Sequence, residues 1–296
     1  MNNSLYGPLD DVTADAGYAD HPPRVGFFTD TSVCIGCKAC EVACKQWNGV
    51  RSGERLDLLG MSHDNTGALG ADSWRHVAFV EQPAPGPVDL GMPSTELPGA
   101  ASGAETRTEF RWLMMSDVCK HCTHAGCLDV CPTGALFRTE FGTVVVQQDI
   151  CNGCGYCVSA CPYGVIERRP GDGRAQKCTL CYDRLRDGLE PACAKACPTD
   201  SIQFGELDEL RERAAARVDT LRERGVDGAR LYGADPDDGV GGAGAFFLLL
   251  DEPQVYGLPP DPVVPTRDMP RMWRFVGAAA GAFLAAAVGS FVGRAR

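Results

Sequence analysis

Cys151-Asn-Gly-Cys154-Gly-Tyr-Cys157-Val-Ser-Ala-Cys161-Pro162 places four thiols at the spacing C-x2-C-x2-C-x3-C, followed by proline. Thiolates so spaced suit a 4Fe-4S cubane, because each of its four iron corners needs one sulfur ligand. Gly153 and Gly155 let the loop wrap three cysteines around one cube, since glycine alone takes the required backbone turns at little cost. Cys161, before Pro162, starts a separate segment and points elsewhere. Three further runs repeat the theme: Cys34, Cys37, Cys40 and Cys44; Cys119, Cys122, Cys127 and Cys131; Cys178, Cys181, Cys193 and Cys197. Together the tetrads use all 16 cysteines.

The tetrads differ in detail. The first has Lys45 where the others have proline. The second opens to C-x4-C between Cys122 and Cys127, and the fourth has eleven residues between Cys181 and Cys193. The second and third form a pseudo-repeat whose first cysteines are 32 residues apart. This is the two-halved ferredoxin pattern, in which the fourth cysteine of each run ligates the other cluster. The first and fourth tetrads then flank this unit as the halves of a second one. The nesting predicts four 4Fe-4S clusters with exchanged ligands. Cys34, Cys37, Cys40 and Cys197 would hold one, and Cys178, Cys181, Cys193 and Cys44 its mate. Cys119, Cys122, Cys127 and Cys161 would hold the third, and Cys151, Cys154, Cys157 and Cys131 the fourth. Disulfides fit poorly, being typical of short secreted chains, and zinc sites do not need a third cysteine followed by a fourth at x3.

Composition narrows the partners. With 39 carboxylates against 28 basic side chains the chain is acidic, which excludes nucleic acid, whose phosphates need a basic surface. No nucleotide-binding loop, dinucleotide fingerprint or G-x-S-x-G occurs. The histidines are scattered at His21, His63, His76, His121 and His124. His121, inside the second tetrad, is read first as an ordinary loop residue, with tuning of a cluster as the alternative. Residues 1–26 lack a basic start and an apolar run, so no signal peptide is expected there. The chain is then cytoplasmic, or leaves the cytoplasm with a partner that carries the signal.

The elements that must position these cysteines form an α+β chain of two nested ferredoxin-like units with a C-terminal transmembrane helix. An N-terminal arm (1–26) precedes an outer unit (27–50 and 166–205). A β-hairpin insertion (51–116) carries a long Pro/Gly-rich loop at 82–108, and an inner unit (117–165) follows. Strands are expected at Val25–Thr29, Ser73–Glu81, Glu109–Met115, Gly142–Val146, Ser201–Phe204 and Ala245–Leu250. Leu207, Leu210, Ala214, Val218 and Leu221 recur at helical spacing, which predicts a covering helix in the segment 206–270 that ends in a Pro-rich connector. Within 271–296, Phe275 to Gly293 is 19 uncharged residues, a helix of about 28 Å against a hydrocarbon core of about 30 Å. Trp273 sits where an interfacial anchor would, and Gly277 and Gly281 would let another helix approach closely.

Four tetrads in this nested order resemble the electron-transfer subunits of molybdopterin oxidoreductases. Within them the chain is similar to the iron–sulfur (beta) subunit of membrane-bound formate dehydrogenases of the N type. The resemblance is carried by Cys34-Ile-Gly-Cys-Lys-Ala-Cys40 with Trp47-Asn48, the third tetrad, Lys177-Cys-Thr-Leu-Cys181, Glu190-Pro-Ala-Cys193, the Gly239–Gly242 turn and Tyr256-Gly-Leu-Pro-Pro-Asp261. It implies a non-catalytic relay between a molybdopterin (Mo or W) alpha subunit that oxidises formate and a haem b gamma subunit that reduces quinone. It also implies a globular part on the outer face of the cell membrane, exported folded with a partner bearing a twin-arginine signal. The beta subunit of another molybdopterin reductase or of a membrane hydrogenase, and a self-standing membrane-anchored ferredoxin, are the alternatives.

Overall fold

The computed structural model describes residue 9 and residues 11–50, 63–83 and 110–294; the loop expected at 82–108 lies, beyond Pro83, outside the described residues. The chain runs through β1 (Val25–Asp30), α1 (Ala39–Asn48), the hairpin β2 (Arg75–Pro83) and β3 (Phe110–Val118), α2 (Gly126–Asp129), β4 (Leu136–Arg138), β5 (Val144–Val146) and α3 (Tyr156–Ser159). It continues through β6 (Glu167–Arg168), β7 (Ala175–Gln176), α4 (Tyr182–Arg186), α5 (Ala192–Lys195), β8 (Ile202–Glu206), α6 (Leu207–Glu223), β9 (Arg230–Tyr232), β10 (Ala245–Leu249) and α7 (Met269–Arg294).

The main sheet has the order β8-β1-β10-β9, with β1 parallel to β10 and antiparallel to β8. It thus joins the strand before the first tetrad, the strand after the fourth and a strand of the C-terminal segment. β1 and β10 are covered on both faces, which is why Phe27-Phe28 and Ala245-Phe-Phe-Leu-Leu249 are continuous apolar runs rather than alternating ones. On one face Phe28, stacked on Phe246 with ring centroids 5.4 Å apart, packs with Leu248 against α6. That helix buries Leu207, Leu210, Ala214, Val218 and Leu221, the positions its periodicity predicts, and Asp208 and Glu209 sit favourably at its positive N-terminus. On the other face Phe27, Phe247 and Leu249 join the core that contains the cysteine loops. The pairs β4–β5 and β6–β7 are short ladders that close the second and third tetrad loops.

The hairpin β2–β3 is tied to the first tetrad through side chains. Lys38 donates to Asp64 at 3.0 Å, His76 lies 2.7 Å from the same carboxylate, and Glu41 accepts from the Val77 amide. Arg75, the first residue of β2, is 1% exposed.

α7 is longer than the uncharged run alone: it begins at Met269. Arg271–Phe291 is long and apolar enough to cross a membrane, and none of it is buried against the described residues. Phe275, Phe283 and Phe291 are 64%, 78% and 76% exposed. A core helix buries such side chains in protein; this one presents them outward, as an element solvated by lipid would.

Gly26 shows how tightly β1 fits. A Cβ there would sit 2.1 Å from the Gly244 carbonyl oxygen and 2.9 Å from Leu207 Cδ1. Gly26→Ala is therefore expected to push β1 away from the β10 side and lower stability by about 1–3 kcal/mol. The check is the thermal midpoint of the cluster-bound protein; an unchanged midpoint would mean that the strands separate freely here.

Candidate metal centres

Each tetrad is a turn whose local backbone carries thiols inward. Cys34 follows a single 3-10 turn (Thr31–Val33) capped by Asp30, whose carboxylate accepts from the Ser32 amide at 2.8 Å. Lys38 is left-handed and opens α1, which carries Cys40 and Cys44 one turn apart. In the fourth tetrad Leu180 and Cys181 are both left-handed, and the Leu180 amide donates to Cys178 Sγ at 3.3 Å. In the third, a Cβ on Gly153 would meet the Gly173 carbonyl at 2.7 Å, so this glycine is required by close approach as well as by its turn. The Ala175 amide there donates to Cys151 Sγ at 3.4 Å. The second tetrad is held by two arginines, Arg138 buried and Arg24 half-buried. Arg24 donates to Thr123 Oγ1 and His121 O, and Arg138 to the carbonyls of Gly142, Cys122 and Thr123. The Gly239–Gly242 turn backs the same loop, accepting from the Thr123 and His124 amides.

The folded chain mixes the tetrads. One cavity is lined by Cys34, Cys37 and Cys40 together with Cys197. A second is lined by Cys119, Cys122 and Cys127 together with Cys161. Cys178, Cys193 and Cys181 surround Cys44, and Asn48 Nδ2 lies 3.7 Å from both Cys44 Sγ and Cys181 Sγ. Cys151, Cys154 and Cys131 surround Cys157. The four groups stand in a row. Cys193 acts on Cys40, Cys119 on Cys178, and Cys157 on Cys127, so each group's charge is felt by the next. Of the sixteen thiols, only Cys37 in the first group and Cys154 in the last are exposed.

The electrostatics say what these groups can hold. Burial, then neighbouring thiolates, push Cys44, Cys122 and Cys127 far up. The same causes, burial first, take Cys178 to about 12 and Cys157 to about 11. Cys131 runs the other way: burial raises it, but backbone amides and the Thr133 hydroxyl outweigh that and lower it. Because the thiolate is the ligand form, most of these sites oppose their own ionisation and need positive charge brought to them. Among the described residues no three His, Cys, Asp or Glu side chains converge on a point that could hold a single ion. Four thiols around a cavity suit a polynuclear group better than one zinc, whose sulfurs must all lie about 2.3 Å from a common centre. The donor set and the cavities therefore fit 4Fe-4S clusters.

Three residues beside these groups have no site role assigned from sequence. His121 lines the second cavity. Its Nδ1 accepts from the Val144 amide at 3.1 Å, which leaves the proton on Nε2, buried and without a partner. Burial first, then Lys177, Arg24 and Arg138, keep the ring neutral. His121 thus stands on the cavity wall with a free N–H, the placement that its alternative reading as a cluster-tuning residue needs. Lys177, 1% exposed, donates to the carbonyls of Val144 and Cys178. Arg75 faces thiols of the first two groups. Position next to a tetrad could have marked His121 and Lys177; nothing local marks Arg75.

Comparison with known proteins agrees with this chemistry. Residues 33–135 and 110–207 each match a 4Fe-4S dicluster domain family. The chain is 40% identical over 249 residues to the formate dehydrogenase iron–sulfur subunit of Haemophilus influenzae, covering 83% of this chain and 72% of the relative. It is 38% identical over 259 residues to the iron–sulfur subunit of the nitrate-inducible formate dehydrogenase of Escherichia coli, covering 86% and 79%; the formate dehydrogenase-O subunit of that organism is equally similar at 38%. One subunit of the anaerobic dimethyl sulfoxide reductase of Escherichia coli is 34% identical over 191 residues, covering 64% of this chain and 77% of the relative.

Because the thiols are buried and mutually repulsive once ionised, the clusters are part of the core rather than additions to it. Stripping iron anaerobically with a chelator is expected to abolish the cooperative thermal transition of the globular part, followed by circular dichroism. A stripped chain that keeps its transition would show that packing alone holds the fold.

Proposed function

Because the chain belongs to the family of formate dehydrogenase iron–sulfur subunits, we propose that it relays electrons from a formate-oxidising molybdopterin subunit to a haem b membrane subunit that reduces quinone. The observation that carries this reading is the row of four thiol groups with one exposed thiol at each end. Each group, once it holds a cluster, supplies a one-electron carrier.

The proposed ligands are Cys34, Cys37, Cys40 and Cys197 for the first cluster and Cys44, Cys178, Cys181 and Cys193 for the second. Cys119, Cys122, Cys127 and Cys161 hold the third, and Cys131, Cys151, Cys154 and Cys157 the fourth. Nesting of the two ferredoxin-like units is supported by the pairing of β1 with β8 and by α1 lying against α5. Apolar side chains flank both ends of the row: Ile35 and Val42 near Cys37, Ile150 and Tyr156 near Cys154, all more than two-fifths exposed. Such patches are docking surfaces for partners that must come close to a terminal cluster.

The root of α7 gives the row a direction. Thr266 Oγ1 donates to Asp129 at 2.5 Å, between Cys127 and Cys131, and Val264 packs near Gly126 of the same short helix. The membrane helix is therefore rooted beside the third and fourth groups. This supports assigning the Cys154 end to the membrane subunit and the Cys37 end to the catalytic one. The globular part is assigned to the outer face of the cell membrane, with α7 in the bilayer beside the partner's helices. The dimethyl sulfoxide reductase relative matches only 64% of this chain, whereas the formate dehydrogenase relatives match 83% and 86%, which favours formate as the donor system.

Two experiments follow. The complex, purified anaerobically through this chain, is expected to bleach its absorption near ~400 nm on addition of formate; full bleaching with dithionite but none with formate would keep the relay and reject formate as its donor. Cys154→Ala is expected to lower bound iron from about sixteen atoms per chain to about twelve or fewer. Unchanged iron would exclude Cys154 as a ligand.

A further inference from the structure

Arg75 is a fully buried guanidinium, 1% exposed, and no ion pair joins it to a carboxylate among the described residues. Its Nη1 donates to Ser116 Oγ at 3.0 Å and to Ser116 O at 3.3 Å. Its guanidinium carbon lies 4.9 Å from the centre of the Phe27 ring. Nε and Nη2 are buried and have no hydrogen-bond partner in the protein. A charge left in this state is costly. An unpaired ion in the interior strongly disfavours the fold, and each unmet donor adds to that cost. The site must therefore hold compensating negative charge other than a carboxylate.

The groups facing it identify that anion. Cys193, Cys40, Cys178 and Cys44 are the charges that act on Arg75 most strongly, and once ionised they hold the guanidinium charged despite its burial. Cys40 belongs to the first thiol group; the other three belong to the second. Ser116 links Arg75 to the first group, its hydroxyl lying 3.2 Å from Cys40 Sγ while accepting from Arg75. The guanidinium thus sits within reach of thiols from both groups, with Nε and Nη2 to spare.

We propose that Arg75 is the shared counter-ion of the two clusters held by the first and fourth tetrads, and that it raises the reduction potentials of both. Each reduction adds negative charge in a poorly screened interior, and a fixed positive charge beside it favours that step. The unpaired N–H groups are available to donate to cluster or ligand sulfur, which acts in the same direction. The thiols of the second and third tetrads are not among the groups that act on Arg75 most strongly, so their clusters lie outside its main influence. The proposal rests on the ligand sets given above.

The test is a potentiometric titration of the isolated complex, followed by electron paramagnetic resonance, for wild type, Arg75→Gln and Arg75→Lys. In R75Q two of the four midpoint potentials are expected to move negative together while two stay in place; in R75K all four are expected to remain near wild type. If R75Q fails to retain two clusters while R75K keeps them at wild-type potentials, charge is required at this position and the proposal stands. Unmoved potentials in R75Q, a uniform shift of all four, or equal cluster loss in both variants would overturn it in favour of a packing role. Iron and spin counts on wild type separate the two levels: fewer than four clusters would reject the ligand sets themselves. Four clusters with unmoved potentials in R75Q would reject only the counter-ion.

Discussion

A thiolate in a protein interior needs positive charge nearby, and this chain buries or half-buries all but two of its sixteen thiols. Burial alone pushes Cys44, Cys122, Cys127 and Cys178 away from the ionised form, and their neighbours push them further. Iron supplies most of the compensation, which makes each cluster a structural centre around which a turn closes. The protein supplies the rest. Although the chain carries a net charge of −11, the residues buried near the cysteine loops include Arg75, Lys120, Arg138 and Lys177, with Arg24 half-buried beside them. Acidic outside and basic inside is the arrangement that a row of anionic clusters requires.

The scaffold is economical because it ties distant parts of the chain at one sheet. β1 leads directly into the first tetrad, β8 follows the fourth, and β10 returns from the C-terminal segment to lie between β1 and β9. Pairing β1 with β8 sets Cys197 beside Cys34, Cys37 and Cys40. The geometry of α1 does the complementary work: one helical turn separates Cys40 from Cys44, so the helix serves two thiol groups at once. In the second and third tetrads Cys127 and Cys157 lie on the short helices α2 and α3, and Cys131 and Cys161 follow just beyond their ends. The mixing of thiols from different tetrads thus comes from cysteines four residues apart that join different groups.

Function follows from where this row comes to the surface. Interior thiols are sealed by apolar packing and by the hairpin β2–β3, while Cys37 and Cys154 reach solvent at the two ends. Apolar side chains accompany both, and α7 is rooted close to one of them. A relay needs insulation along its length and access at its ends, and the burial pattern provides both.

Much of this was legible from local pattern. Thiol spacing gave the cluster type, continuous apolar runs gave the strands at Phe27–Phe28 and Ala245–Leu249, and the recurrence of Leu207, Leu210, Ala214, Val218 and Leu221 gave α6. The uncharged run at Phe275–Gly293 gave the C-terminal helix, though not its start at Met269, since Arg271 and Arg274 break the apolar pattern without breaking the helix. These signals survive in sequence because cluster loops, strands and helices are set by neighbours within a few residues. What only the tertiary structure decided is non-local. The parallel pairing of β1 with β10 joins residues more than two hundred positions apart. Arg75 looks in sequence like any charged residue opening a strand, and His121 like any loop histidine. Their roles arise because folding removes water from them and leaves thiolates as the charges they face, and no local spacing records which charges a buried side chain will meet.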